Sequence, residues 1–96
     1  MIIEYKESAR NDMNIILDYI VDRGYPITGI RFMTRMISFI NGLYTFPNIH
    51  SLCRFKRFMR RNLRCAIFED NYIIAYKTFK RKIVIHAVIN TKRLKS

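Results

Sequence analysis

Residues 82–90 read KIVIHAVIN, and this stretch decides how the rest of the chain must be arranged. Ile and Val fill five of its nine positions, and β-branched side chains favour strands. It is too apolar to lie at the edge of a sheet, so it predicts a central strand with neighbours on both sides.

The residues before it supply further strands. YIIAYKTF at 72–79 is a second strand, joined to the first by a charged turn at Lys80-Arg81-Lys82. Upstream, Leu63, Cys65 and Ile67 alternate with Arg64, Ala66 and Phe68, the period of two that a strand requires. Glu69-Asp70-Asn71 follows as a turn, because Asp and Asn tolerate a positive φ. These residues predict a three-stranded antiparallel meander.

The amino-terminal half carries a helical period instead. A short strand, MIIEYKE, precedes Ser8, which is placed to cap a first helix, with Asn11 as a weak capping-box partner. Gly24 is the expected stop, because glycine adopts a left-handed backbone without steric cost. The apolar stripe of this helix consists of Ala9, Met13, Ile16, Leu17 and Ile20.

Pro26 suits the first turn of a second helix, which Phe46-Pro47 ends. The predicted apolar stripe of this helix is Ile30, Met33, Ile37, Ile40 and Tyr44. Only Gly24 and Tyr25 lie between the two helices, and so short a connection predicts an antiparallel hairpin. The expected fold is α+β: one domain over residues 1–96, ordered strand–helix–helix–three strands, with the hairpin on one face of a mainly antiparallel sheet.

Charge divides the chain into two unlike halves. Residues 1–48 hold five basic and five acidic side chains, whereas residues 49–96 hold thirteen basic and two acidic ones and so carry the whole net charge of +11. A solvated surface without function usually mixes the two signs. We therefore expect the basic half to bind something acidic: nucleic acid, an acidic protein, or both in turn.

The densest part of the basic half is residues 53–65, CRFKRFMRRNLRC, with six cations and a cysteine at each end. His50, Cys53, Cys65 and His86 do not have the spacing of a common zinc site, so no metal and no cofactor are expected. A disulfide is geometrically open but disfavoured in a reducing cytosol, so we expect Cys65 to be a small core residue and Cys53 a loop residue.

Two interpretations remain open for the phenylalanines of this segment. Phe55 and Phe58 among arginines suit single-stranded nucleic acid, through base stacking and phosphate contacts. Alternatively they anchor the segment to the core while the arginines point outward. Paired carboxylates and glycine-rich phosphate loops are absent from the basic half. The amino terminus lacks the pattern of a secretion signal and no stretch could cross a membrane as an apolar helix, so a soluble cytoplasmic protein is expected.

The order and spacing of these segments resemble the RelE/ParE superfamily of toxins from bacterial type II toxin–antitoxin modules. The resemblance runs from the opening strand and helix SARNDMNIILDYIVDRG, through RFMTRMISFINGLYTFPN and CRFKRFMRRNLRCAIF, to NYIIAYK and IVIHAVINTKR. It implies a toxin of a plasmid-stabilisation type system, neutralised by an acidic antitoxin in a hetero-oligomer, with no cofactor and no membrane partner.

The superfamily has two activities, and the resemblance is closer to the ParE branch. RelE-like toxins cleave mRNA in the ribosome and typically carry Arg after the first Tyr of the penultimate strand, where this chain has Ile73. The terminal tyrosine of the nucleases has no counterpart after Lys92-Arg93 either. ParE-like toxins are not enzymes but bind DNA gyrase and trap it in its DNA-cleaved state.

The two branches imply different site residues. The ParE reading implies target contacts at Asn90, Lys92 and Arg93, supported by Arg60, Arg61 and Arg64. The alternative, a ribosome-dependent endoribonuclease, would use Lys56, Arg64, Lys77 and Arg93. A third possibility is a non-toxic relative that only binds its antitoxin.

Overall fold

The computed structural model describes residues 2–93, the side chain of residue 93 excepted. The elements in chain order are β1 (Ile2–Tyr5), α1 (Glu7–Asp22), α2 (Pro26–Gly42), a single-turn α3 (Lys56–Met59), β2 (Arg64–Phe68), β3 (Tyr72–Thr78), β4 (Lys82–Asn90) and a 3₁₀ turn (Thr91–Arg93). The predicted strand–helix–helix–three-strand order is confirmed, and α3 is an addition that the sequence pattern did not indicate.

The four strands form one sheet in the order β1-β4-β3-β2. β2, β3 and β4 pair antiparallel as the predicted meander, and β1 joins the other side of β4 in parallel. The apolar strand at 82–90 therefore does lie centrally. Glu69 and Asp70 turn the chain between β2 and β3 with φ of 48° and 61°, so the left-handed positions are the first two of the predicted turn.

Helices α1 and α2 cover one side of this sheet, which we call the helix face. Gly24 has φ of +90° between them, as expected of the residue that ends α1. The hairpin packs closely because a Cβ on Gly29 of α2 would meet Leu17, Ile20 and Val21 of α1 at 3.1–3.3 Å. The main core lies between the hairpin and the sheet and includes Met13, Met36, Ile74, Tyr76 and Ile85.

The predicted buried stripe of α1 is confirmed. That of α2 is confirmed at Met33 and Ile40, which pack in or against the main core, and is wrong at its exposed members. Ile30 is 61% exposed and Ile37 is 40% exposed. Besides Ile40 the helix buries Phe32 and Met36, and Leu43 is buried directly after its end. Because α2 is apolar on several sides, its period alone allowed two orientations. Aromatic packing selects the observed one: Phe32 lies 5.7 Å from Phe68 and 5.2 Å from Tyr72, between ring centroids.

The predicted cap of α1 is also wrong. The helix begins at Glu7, its N-cap is Lys6, and no side chain caps it. Ser8 therefore lies inside the first turn, where its hydroxyl donates to the backbone carbonyl of His86 at 2.7 Å. The expected capping-box role of Asn11 disappears with it. Ser8 fixes the start of α1 to the central strand β4 instead.

Candidate functional site

The side of the sheet opposite the hairpin, which we call the loop face, is partly covered by the basic segment. Residues 54–61, which we call the cationic loop, leave the sheet after Cys53, form α3 and return through Leu63 into β2. Phe58 and Leu63 are buried and pack with Cys53 and Ala75 in a second core cluster. The loop is thus held on the sheet by its own apolar side chains while its charged side chains are exposed.

A disulfide joins Cys53 to Cys65, which corrects the expectation of two independent thiols. Leu52 and Arg64 form an antiparallel bridge, with Cys53 N–H donating to the Leu63 carbonyl and Cys65 N–H to that of Ser51. This pairing brings the two cysteine Cα atoms to 4.9 Å, within the range that a disulfide spans. The redox compartment gives no indication of this bond, because it is the closing of the segment into a paired loop that brings the two cysteines together.

The two phenylalanines serve as anchors. Phe55 packs against the second core cluster. Phe58 is 5% exposed, so it does not offer a ring to a nucleic-acid base. The Arg57 guanidinium lies over the Phe58 ring at 4.7 Å from its centroid. Stacking on Phe58 is therefore excluded by burial.

The cations of the loop have no acidic counterpart within residues 2–93. The two ion pairs found there lie elsewhere: Arg35 with Glu69 at 2.8 Å, and Lys82 with Glu4 at 3.6 Å. The hydrogen bond from Arg35 holds the pKa of the Glu69 carboxyl below its ordinary value. The exposed cations of the loop, all unneutralised, are Arg54, Lys56, Arg57, Arg60 and Arg61.

Arg64 does not share the surface of this loop. Side chains alternate along β2, and Ala66 and Phe68 belong to the core under the hairpin, so Arg64 lies toward the helix face. Its Nη1 donates to the His50 carbonyl at 2.7 Å. Burial raises the pKa of Tyr76, and the charge of Arg64 partly offsets that rise. Arg64 thus supports the region around residues 47–50 and Tyr76.

Asn90 and Lys92 lie at the opposite end of the sheet. Asn90 ends β4 opposite Tyr72, and its side chain accepts a hydrogen bond from the Lys92 N–H at 2.9 Å. Arg64 is opposite Tyr76, four residues further along β3, which corresponds to about 13 Å along the strand. The structure therefore does not bring the expected target-binding residues together: Arg64 lies apart from Asn90 and Lys92, and Arg60 and Arg61 are on the cationic loop. The side chain of Arg93 lies outside the described part of the structure.

The alternative nuclease residues are also not brought together. Lys77 alternates with Ala75 of the second core cluster and so lies on the loop face, whereas Arg64 lies toward the helix face. Lys56 is exposed on α3. Ile73, in the place of the nuclease arginine, is buried.

His86 lies on the loop face among positive charges, a position that the sequence did not predict. The register between β3 and β4 shifts at Ala75/Tyr76, and His86 is the additional residue on β4. Burial lowers the pKa of His86, and the positive charges of Lys6, Arg61 and Lys77 lower it further. Its Nδ1 is buried and has no hydrogen-bond partner among the residues that the structure describes. The sequence did hold one indication that His86 is unusual, because it is a single histidine inside an otherwise apolar stretch of β4.

On the hairpin, an apolar groove of about 350 Å³ runs between α1 and α2. It is lined by Tyr5, Arg10, Met13, Asn14, Leu17, Met33 and Ile37. Arg10 is its only charged side chain. The buried hydroxyl of Tyr5 has no hydrogen-bond partner in residues 2–93, and burial raises the pKa of Tyr5. The groove suits an apolar helix face or extended segment with an acid near Arg10.

The fold of this chain is similar to that of a solved structure. The structure of the chromosomal ParDE TA system from P. aeruginosa superposes with a TM-score of 0.77 at 14% sequence identity, covering 94% of this chain and 95% of that chain.

Sequence comparison identifies the family. Residues 3–94 match the family described as "ParE toxin of type II toxin-antitoxin system, parDE". The chain therefore belongs to the ParE toxin family. No curated protein sequence matches it significantly. Over residues 2–93, no helix is both long enough and apolar enough to span a bilayer.

Proposed function

We propose that this ParE-family toxin acts by binding DNA gyrase and is neutralised by an acidic antitoxin. One observation favours an inhibitor of gyrase over a nuclease: the candidate nuclease residues lie on two different faces of the sheet. Lys77 is on the loop face, and Arg64 is on the helix face, hydrogen-bonded to His50. Nuclease catalysis by cations needs them preorganised around one phosphate.

The target contacts are proposed at the carboxyl end of β4, at Asn90, Lys92 and Arg93. The side chain of Asn90 is hydrogen-bonded to the Lys92 backbone, so it orders the turn that presents Lys92. The exposed Arg60 and Arg61 of the cationic loop supply further positive charge on a different part of the molecule. Charge of one sign mainly accelerates encounter with an acidic partner.

A supercoiling assay tests this function. The purified chain should inhibit supercoiling by gyrase and accumulate cleaved DNA, and the Asn90→Ala/Lys92→Ala variant should weaken that inhibition. Arg31→Ala, an exposed cation on α2, is the matched control and should leave inhibition unchanged. A translating extract probed for mRNA cleavage runs in parallel, and cleavage there with gyrase unaffected would refute the proposal.

The antitoxin is proposed to lay an acidic amphipathic segment into the groove between α1 and α2. The groove offers Met13, Leu17, Met33 and Ile37 to apolar side chains and Arg10 to a carboxylate. This is the helix-in-groove mode of peptide recognition. The groove and the carboxyl end of β4 involve different residues, so antitoxin binding and gyrase binding can be separated by mutation.

Two isoleucines of α2 provide the matched pair for that test. Ile37 lines the groove and Ile30 does not, yet both are exposed, so an aspartate at either position should leave the fold intact. Ile37→Asp should weaken antitoxin binding in calorimetry and retain gyrase inhibition, whereas Ile30→Asp should retain both. Equal antitoxin affinity for the two variants would place the antitoxin elsewhere.

A further inference from the structure

The part of the loop face not covered by the cationic loop presents an exposed aromatic ring between two lysines. Phe79, directly after β3, is 47% exposed. The ammonium groups of Lys77 and Lys82 lie 5.9 and 5.5 Å from its ring centroid. The turn that carries the ring is fixed by the Phe79 N–H, which donates to the Lys82 carbonyl at 2.8 Å.

Three cations from three different segments lie on the same face: Lys77 adjoins the ring, and Lys6 and Arg61 lie further along β4, near His86. Lys77 precedes Phe79 by two residues and shares its side of β3. Lys6 follows β1, where Ile3 and Tyr5 pack under the hairpin, so alternation directs Lys6 to the loop face. Arg61 comes from the cationic loop. The charges of Lys6, Arg61 and Lys77 all act on His86, which lies among them.

These cations are not neutralised within residues 2–93. None of the three takes part in an ion pair, and the nearby Glu4 is occupied by Lys82. Lys6 and Lys77 lie on either side of β4, about 10 Å apart by the spacing of strands. Such a surface matches a short run of negative charges rather than a single ion.

We propose that this surface, formed by Lys6, Arg61, Lys77 and Phe79, binds single-stranded nucleic acid. One base stacks on Phe79, and neighbouring phosphates contact the three cations. An exposed aromatic ring flanked by cations is the combination that single-strand binding uses, because every base has a face to stack while the backbone is tracked by charge. An acidic peptide would use the cations but gain nothing specific from the ring.

The inference does not depend on gyrase, because binding is measured with the isolated full chain. The probe is a fluorescent oligodeoxythymidylate of about twelve nucleotides, within the range of a single-strand site. Anisotropy is followed between about 50 and 200 mM salt. Phe79→Ala should weaken binding about 5- to 150-fold, the range expected for loss of one stacked base. Phe79→Tyr keeps an aromatic ring and should retain the wild-type affinity. Tyr25→Ala, an exposed aromatic on the hairpin side, should have no effect.

The charge contribution is tested with two triple variants of equal net charge. K6Q/R61Q/K77Q should flatten the dependence of log affinity on log salt by about 2, because each phosphate contact on a single strand contributes about 0.7. R10Q/R23Q/R31Q, on the helical hairpin, should leave the slope unchanged.

Further arms use oligouridylate, duplex DNA and polyglutamate as competitors. Oligouridylate that competes as well as or better than the DNA strand, with the same requirement for Phe79, assigns the site to single strands in general. Equal losses in the two triple variants would overturn the proposal. So would indifference to Phe79→Ala, or competition by duplex or polyglutamate as strong as that by single strands.

Discussion

Reduction of the Cys53–Cys65 disulfide releases the only covalent closure of the cationic loop, and we expect it to destabilise the protein by a calculable amount. The two cysteines are 12 positions apart. The chain-entropy relation for a loop of that length gives about 2.8 kcal/mol at 25 °C, through freedom regained by the unfolded chain. For a chain of this size, that corresponds to a fall in Tm of roughly 11–22 °C.

The folded state should change little when the bond is reduced. Phe58 and Leu63 remain buried in the second core cluster, and the backbone pairing of Leu52 with Arg64 does not require the sulfur atoms to be bonded. Reduced protein should therefore keep its far-ultraviolet circular dichroism and lose only stability.

Urea unfolding of the wild type with and without a dithiol reductant measures the effect. Reduction keeps both sulfur atoms in place, so it separates the cross-link from the packing of Cys53, which is buried. The Cys53→Ala/Cys65→Ala variant provides the comparison, since it removes the bond and the sulfurs together and should be insensitive to the reductant. A free energy of unfolding that changes by less than about 1 kcal/mol on reduction would contradict the chain-entropy account.

Three further changes test other parts of the fold. Gly24→Ala should cost about 1 kcal/mol, because a residue with a Cβ is disfavoured at φ of +90°. Tyr76→Phe should cost about 1–2 kcal/mol, because the Tyr76 hydroxyl donates to the Pro47 carbonyl at 2.9 Å and its loss leaves that acceptor unsatisfied. The pKa of His86 in the folded protein lies below its ordinary 6.5. As pH falls, His86 is therefore protonated in the unfolded chain before it is protonated in the folded protein, and stability should decline below about pH 6.5.

Each of these changes has its control. Gly42→Ala lies in α2 with nothing within 4 Å of the new Cβ, so it should be neutral or stabilising by urea unfolding, in contrast to Gly24→Ala. Tyr44→Phe removes an exposed hydroxyl and should change stability by less than about 0.5 kcal/mol. His86→Gln should remove its share of the pH dependence, and an unaltered pH profile in that variant would assign the effect to other groups.

The order of elements could be predicted because each depends on a local pattern. Five of the nine residues of β4 are Ile or Val, Pro26 begins α2, and Gly24 ends α1, so neighbours in sequence determine these elements. The orientation of α2 could not be predicted in this way. Ile30 and Phe32 both fit a helical stripe, and only the aromatic side chains of β2 and β3 decide which one is buried.

The site was harder to predict because its contacts are distant in sequence. Arg64 and Arg61 are three residues apart, yet one supports the backbone at His50 and the other stands beside His86. The disulfide follows from the pairing of Leu52 with Arg64, which hydropathy does not reveal. Phe79 was assigned to a strand end, and its exposure between two lysines becomes evident only once the sheet is assembled.

The parallel pairing of β1 with β4 also has a consequence for synthesis. Ile2–Tyr5 lies against residues 82–85, so the amino-terminal strand has no partner until synthesis has reached those residues. At about 5–20 residues per second, the ribosome needs roughly 4–16 s to reach that point. Throughout that interval β1 lacks its partner, and the four-stranded sheet is completed only after β4 has left the exit tunnel.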